Sequence, residues 1–435
     1  WEAYDERLPD YLQAIDAAGI QVTIDIHPIG ATHPNTYQIT LSNDNETRKM
    51  IALSTGGGMI DVISIDDATV SMAGDFFETL IYVKSPEKVV AFLERSTTYD
   101  ELTVHRGDTT FIEIKSNRFL PAGILEELEG LEDVRFIRQL HPVLPVLARK
   151  NLTVPFITCE EMLQYNEGKN LSLWELAMHY EAQRGNISHD EVFEKMRAIV
   201  RIMRNAIDEG LKGTTYRDRI LGPQSVNYKK RFDEGALVAG DVMNHVTMYT
   251  SAMMEVKSSM GVIVAAPTAG SCGALPGAVI GTAKALQLSE DDMVRAMLAA
   301  GMIGVFIAAH ATFAAEVGGC MAECGSGSGM AAAGIVVLKN GKLEQALTAA
   351  SLTLQASLGM ICDMIADRVE APCLNRNVMA ASTAISCANM ALADYNQVIP
   401  LDEVIETMKK VGDAIPSTLR CTGLGGLAIT KTAKK

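Results

Sequence analysis

The chain has 435 residues, enough for two or three domains, and its 48% apolar and 21% charged residues are the balance of an ordinary globular protein. The formal net charge of −15 argues against the basic face that nucleic-acid binding needs and against attraction to an acidic membrane surface. Residues 1–20 carry Glu2, Asp5, Glu6, Asp10 and Asp16 behind Trp1, the wrong sign for a signal peptide.

In chain order, Tyr37 to Leu41 predicts a short strand. Ser54-Thr55-Gly56-Gly57-Gly58 predicts a turn before a second stretch, Met59 to Ile65. Adjacent glycines reach backbone conformations closed to other residues, so this turn either closes a hairpin or contacts an anion or a partner. Thr79 to Val83 predicts a strand and Pro86 to Glu94 a helix. Leu102 to His105 and Thr109 to Lys115 bracket the Arg106-Gly107-Asp108 turn as a hairpin. Pro121 to Leu128 predicts a helix and Asp133 to Arg138 a last strand. The order βαββαβ is that of a ferredoxin-like unit. Such small sheets often sense ligands, although a fold does not assign that role.

Pro142, Pro145 and Pro155 mark a linker. From Thr158 onward the pattern is helical, with Ser172 and Glu175, and Ser188 and Glu191, spaced as capping boxes. Breaks fall at Gly222-Pro223, Pro267 to Pro276 and Gly325 to Gly329. The apolar run Ala296 to Ala315 approaches membrane-spanning length. It has neither aromatic belt nor basic flank, and reads as a helix at the centre of a bundle. The expected architecture is an α+β N-terminal part with a ferredoxin-like βαββαβ unit, followed by a large all-α domain over residues 155–435.

Eight cysteines in a long chain without secretory features favour metal or catalytic use over disulfides. Six lie between positions 272 and 387. Cys320 follows Gly318-Gly319, and Cys373 follows Ala371-Pro372. Cysteines on loops or at helix ends can aim thiolates at one metal centre, whereas cysteines inside helices are small hydrophobes. No CxxC repeat occurs, so spacing leaves a metal cluster and core packing both open.

Longer motifs add to this. Met260-Gly261-Val262-Ile263-Val264-Ala265-Ala266-Pro267-Thr268-Ala269-Gly270-Ser271 resembles the signature of the iron–sulfur-dependent L-serine dehydratases. Gly319-Cys320-Met321-Ala322-Glu323 resembles that family's Gly-Cys-Gln-Ala/Gly-Glu motif. Cys362-Asp363 and Val369-Glu370-Ala371-Pro372-Cys373-Leu374-Asn375-Arg376-Asn377 resemble its Cys-Asp-Pro and Val-Pro-Cys-Ile-Glu-Arg-Asn segments. Arg420-Cys421-Thr422-Gly423-Leu424-Gly425-Gly426-Leu427-Ala428 resembles its Arg-Glu-Thr-Ser-Leu-Gly-Gly-Leu-Ala. His33-Pro34-Asn35-Thr36 and Gly56-Gly57-Gly58 are similar to its β-type domain, so the resemblance covers nearly the whole chain.

The resemblance implies a partial allosteric-substrate-binding-like β domain over 1–75, a ferredoxin-like (ACT-like) regulatory domain over 76–145, and an all-α catalytic iron–sulfur domain over 155–435. It implies a 4Fe–4S cluster held by Cys320, Cys362 and Cys373, with one iron left open as a Lewis acid for the hydroxyl of a small amino acid. L-Serine would give pyruvate and ammonia, in the cytoplasm, in a homodimer, with no nucleic-acid or membrane partner. Thr268, Ala269, Gly270 and Ser271, at a helix start, are candidates for the substrate carboxylate, or form a plain turn and cap. Arg376, Asn377 and Arg420 are candidates for the carboxylate or for supporting sulfur, or make structural contacts. Lys257, Glu323 and His310 are the candidate catalytic groups; His310 is otherwise a satisfied core residue. Cys324 is expected to pack or to support the ligands.

Several positions depart from the family pattern. Met321 stands for Gln, Met364-Ile365-Ala366-Asp367 for Pro-Val-Gly/Ala-Gly, His310-Ala311-Thr312 for Asn-Ala-Ser, and Lys257 for a neutral amide. The segment Gly-Pro-Ser-Ser-Ser-His-Thr is absent from these residues. Threonine, cysteine or a β-hydroxy dicarboxylic amino acid is therefore an alternative substrate. A non-catalytic amino-acid sensor, with structural or zinc-binding cysteines, is the alternative of another class.

Overall fold

The computed structural model describes residues 5–33, 35–144, 147–150 and 152–435. Trp1, Glu2, Pro34 and Pro145, named above, lie outside the described residues. The chain divides into a mixed unit, His27–Val154 with Gln183–Asn186, and a helical unit, Trp1–Ile26, Pro155–Ala182 and Ile187–Lys435. Helix α1 (Tyr11–Ala17) belongs to the second.

In the mixed unit, β1 (Thr36–Ser42), β2 (Thr47–Gly56), β3 (Met59–Ile65) and β4 (Ala68–Met72) form an antiparallel sheet in that order. Gly56, Gly57 and Gly58 have φ of +92°, +66° and +79°. The β2–β3 turn thus uses the left-handed region that glycine enters without a Cβ clash. The second sheet holds β5 (Phe77–Val83), β6 (Glu101–Arg106), β7 (Thr110–Ser116) and β8 (Val134–Leu140) in the order β6-β7-β5-β8, all antiparallel. Helix α2 (Glu87–Ser96) follows β5, and α3 (Ala122–Glu129) follows β7.

The alternation of strand side chains explains why β5 reads as an unbroken apolar run. Leu80 and Tyr82 pack with Phe111 against Ala52, Val62, Ile65 and Val70 of the first sheet. Ile81 and Val83 point the other way and pack with Ile112 and Ile114 against Val89 and Leu93 of α2 and Leu128 of α3. A strand buried on both faces has no polar side to show.

The helical unit continues with α4 (Cys159–Asn166), α5 (Leu173–Gly185), α6 (His189–Lys212), α7 (Ser225–Asp233), α8 (Asp241–Ser258), α9 (Ala274–Ala285) and α10 (Glu290–His310). Then come α11 (Ala315–Gly318), a π-helical turn Met321–Gly325, α12 (Ser326–Leu338), α13 (Leu343–Ser357), α14 (Cys373–Leu392) and α15 (Leu401–Ala414). Complete capping boxes sit at Thr158 with Glu161 and Ser289 with Asp292. At Ser188 the hydroxyl accepts from Glu191 N at 3.1 Å. At Ser172 the hydroxyl instead donates to Glu175, whose carboxylate also takes Ser172 N at 2.8 Å.

Two stretches, Glu290–His310 and Met321–Leu338, are long and apolar enough to cross a membrane, but 67% and 89% of their apolar windows are buried inside the protein. The run Ala296 to Ala315 spans the rest of α10, the turn after it and the first residue of α11, and α12 is buried on nearly every side. Helices that are hydrophobic all round belong at the centre of a large bundle. Small residues set the closest approach. A Cβ on Gly277 of α9 would stand 2.7 Å from the Thr250 amide of α8, and one on Gly281 2.9 Å from Val246 Cα.

Candidate functional site

Thiols from separate segments meet in the helical unit. Cys320 follows Gly319, whose φ is +72° and whose added Cβ would lie 2.8 Å from the Met360 carbonyl. Only a glycine lets this turn lie against the chain leading to Cys362. Cys320 and Cys324 are one turn apart, with sulfurs at 3.4 Å. Cys362 leaves α13 and pairs with the C-terminal tail: its amide donates to Leu419 O at 2.8 Å, and Cys421 N donates to Cys362 O at 2.9 Å. The Cys362 thiol touches those of both Cys320 and Cys421. Cys320, Cys324 and Cys362 are buried in one cluster against which Cys421 packs. Cys373 opens α14.

None of these thiols ionises easily alone. Burial pushes Cys373 up to about 11, against the pull of Lys257. Contact with neighbouring sulfurs and burial push Cys320, Cys362 and Cys421 further. They become thiolates only against added positive charge, which is what a bound metal supplies.

Among the described residues, no three His, Cys, Asp or Glu side chains converge on a single ion. Separated thiols suit a polynuclear iron–sulfur group, whose ligands stand around it. Arg376, held in its charged form against burial by the Asp363 carboxylate, keeps a buried Nη1 without a hydrogen-bond partner, and Arg420 keeps a buried Nε in the same condition. Unpaired buried N–H groups are costly, and these two fit a pocket completed by anionic groups.

The remaining candidates form the frame. The Thr268 hydroxyl donates to Glu323 Oε1 at 2.7 Å and accepts from Ser271 N at 3.2 Å; the Thr268 and Ser271 hydroxyls are 3.1 Å apart. Gly270 is required, because a Cβ there would stand 2.7 and 2.9 Å from the two Glu323 oxygens. Ala269 is exposed at the tip of this turn and Ser271 fully buried. Burial raises Glu323 to about 7, opposed by the Thr268 hydroxyl. Asn377 has no polar atom to spare for a substrate. Its Oδ1 accepts from Ala274 N at 3.0 Å, while its Nδ2 donates to the Gly270 and Cys373 carbonyls, both at 2.9 Å, and lies 3.6 Å from Cys324 Sγ. It ties the Cys373 end of α14 to the turn before α9.

Asp363, beside Cys362, receives Arg376 Nη2 and the amide of Leu427, each at 2.6 Å. A Cβ on Gly426 would be 2.2 Å from its Oδ2, so the glycine pair of the tail allows this approach. Arg420 Nη1 donates to Val317 O at 2.9 Å. The tail thus folds back over the thiols and brings Arg420 with it. Lys257, in the last turn of α8, donates to Val369 O; burial lowers its pKa, with Cys272, Cys373, Glu370 and Glu323 opposing. His310 is exposed at the end of α10, with Nε2 3.1 Å from Ile157 O, so it is not a core residue.

Sequence reasoning passed over three groups. Cys421 was read only as part of the tail motif. Glu370 stands there only as a letter of a motif and Glu255 is not singled out, yet each is only 3% exposed. Their signal was a single carboxylate inside an apolar stretch, such as Met253-Met254-Glu255-Val256, where an unpaired charge is not tolerated.

The helical unit closes its own tail over thiols drawn from distant segments. The family model described as serine dehydratase alpha chain matches residues 168–428, and the chain belongs to that family. It is 36% identical over 280 residues to the probable L-serine dehydratase, alpha chain, of Bacillus subtilis, covering 64% of this chain and 93% of that one. To an L-serine dehydratase of Streptomyces coelicolor it is 26% identical over 438 residues, covering 97% of this chain and 91% of the relative. To L-serine dehydratase 1 of Escherichia coli it is 33% identical over 285 residues, covering 63% and 62%.

Proposed function

We propose that the protein is an L-serine ammonia-lyase that removes water and then ammonia from L-serine, yielding pyruvate. What supports this reading is the buried cluster of Cys320, Cys324 and Cys362, to which Asn377 ties the Cys373 end of α14, in a chain whose relatives are named L-serine dehydratases.

When bound by Cys320, Cys362 and Cys373, a 4Fe–4S cluster supplies a Lewis-acidic iron lacking a protein thiolate, toward which the substrate hydroxyl becomes a better leaving group. The chain's own groups do the rest. The open N–H groups of Arg376 and Arg420 hold the carboxylate. Glu323, balanced near neutrality, takes the Cα proton, and Thr268 orients it. The Thr268–Ser271 turn, whose hydroxyls are satisfied internally, shapes the pocket, and Asn377 holds the third cysteine in place. Loss of the Cα proton and the β-hydroxyl as water gives the enamine; this tautomerises to the imine, which takes up a water and releases ammonia to leave pyruvate. The burial of the pocket keeps bulk water away during proton removal.

The βαββαβ order of residues 76–145 and the packing of both helices on one sheet face support a ferredoxin-like, ACT-like regulatory role there; the partial β domain expected over 1–75 is represented in the same unit by β1 to β4, Thr36 to Met72, while residues up to Ile26 group with the helical unit. Free thiols of this kind fit a reducing cytoplasm, and the assembly we infer is a homodimer.

Anaerobically reconstituted protein should release pyruvate and ammonia from L-serine, and the Cys362→Ala variant should release neither. Equal rates in the two would end the cluster reading. A second substrate class is favoured by Lys257, whose buried ammonium has a backbone carbonyl and no carboxylate ion pair among the described residues. A β-hydroxy dicarboxylic amino acid would supply the missing anion. Lys257→Ala should then shift the preference toward serine by roughly tenfold; an unchanged preference removes that class.

A further inference from the structure

Residues 213–224 join α6 to α7 without forming a helix. Two buried carboxylates hold them. Glu370 Oε1 accepts from the Tyr216 hydroxyl at 2.8 Å, from Ile220 N at 3.1 Å and from Leu221 N at 2.6 Å. Glu255 Oε1 accepts from Arg219 Nη2 at 3.0 Å and from Gln224 N at 2.5 Å, and its Oε2 takes the Ser225 hydroxyl. Arg219 continues the network within the loop, donating to Thr214 O at 2.6 Å, Leu221 O at 2.5 Å and Gly222 O at 3.3 Å. Arg368 Nε stands 3.5 Å from the other Glu370 oxygen.

The positions of the two glutamates link this loop to the thiol pocket. Glu370 is three residues before Cys373, and the Val369 carbonyl beside it receives the Lys257 ammonium. Glu255 is two residues before Lys257 on α8. One oxygen that serves three donors is a strong clasp, because each donor would otherwise be left partly buried without an acceptor.

We propose that Glu370 is a positioning residue of the lyase site. Its carboxylate fastens residues 216–221 to the segment that ends in Cys373, so that the loop, the Lys257 ammonium and the third thiol move as one piece. This rests on reading the pocket as the lyase site.

Glu370→Gln leaves the three donors only a neutral carbonyl oxygen and turns an NH2 toward Arg368, which weakens all three bonds and should loosen the loop. In reconstituted protein we expect a chelator to remove iron about tenfold faster than from the wild type. Trypsin should cut about tenfold faster at Arg217, exposed on the loop. The kcat for L-serine should fall about tenfold with KM within about twofold. Glu370→Asp should recover part of each loss. Tyr216→Phe, which removes one donor of three, should move each readout the same way by less, and it decides the matter if Glu370→Gln fails to fold. Chelation and cleavage rates equal to wild type overturn the proposal. A freed loop with iron release and kcat unchanged also overturns it, by reducing Glu370 to a stability role. Wild-type protein that makes no pyruvate overturns the lyase reading instead, and trypsin cleavage of the metal-free variants still decides the fastening.

Discussion

Glu323 shows how burial sets chemistry at a single residue. The carboxyl is held near 7 because the pocket removes water from its charged form, while the Thr268 hydroxyl and the Lys257 ammonium partly restore it. A general base must be ionised to act, so kcat/KM for L-serine should rise with pH through about 7 and then level. In Glu323→Gln this rising limb should vanish and the rate should fall roughly a hundredfold. A rising limb retained in the variant would assign the proton to another group. Asn377 teaches a different lesson. Its neighbourhood to Cys373 was legible in the sequence, but an amide can bind a substrate or brace a backbone equally well. Only its four contacts show that it braces.

Among the elements, α8 and α9 pack through glycine rather than through interlocking large side chains. A Cβ on Gly277 would meet Thr250 backbone at 2.7 and 2.8 Å, whereas one on Gly301 of α10 would meet nothing within 4 Å. Gly277→Ala should therefore destabilise the protein by about 1–3 kcal/mol through overpacking, and displace the turn that carries Thr268. Gly301→Ala should be neutral or stabilising by about 0.5–1 kcal/mol through helix propensity. Urea midpoints of the two variants check this, and equal shifts would refute the packing argument. The strands and the first helices were legible because their signals are local: an apolar run in β5, alternation in β6, and a turn signal between β6 and β7. The half-formed cap at Ser172 was not legible, since Ser-x-x-Glu spacing does not say which way the hydroxyl turns.

At the scale of the whole molecule, the chain's own pattern determined the division into a strand-rich first third and a helical remainder, because alternation and helical spacing are properties of neighbouring residues. It also determined which cysteines stand at turns and helix ends, since Gly319 and Pro372 precede them. What only the tertiary structure decided is which distant groups meet. The tail returns to Cys362 and brings Cys421 and Arg420 to the thiols, while His310, ten residues from Cys320, is left at the surface. Glu370 reaches back some 150 positions to Tyr216 and Leu221. Such meetings follow from how the helices of the helical unit close-pack, a global balance of volume and buried polar pairing that no local spacing encodes.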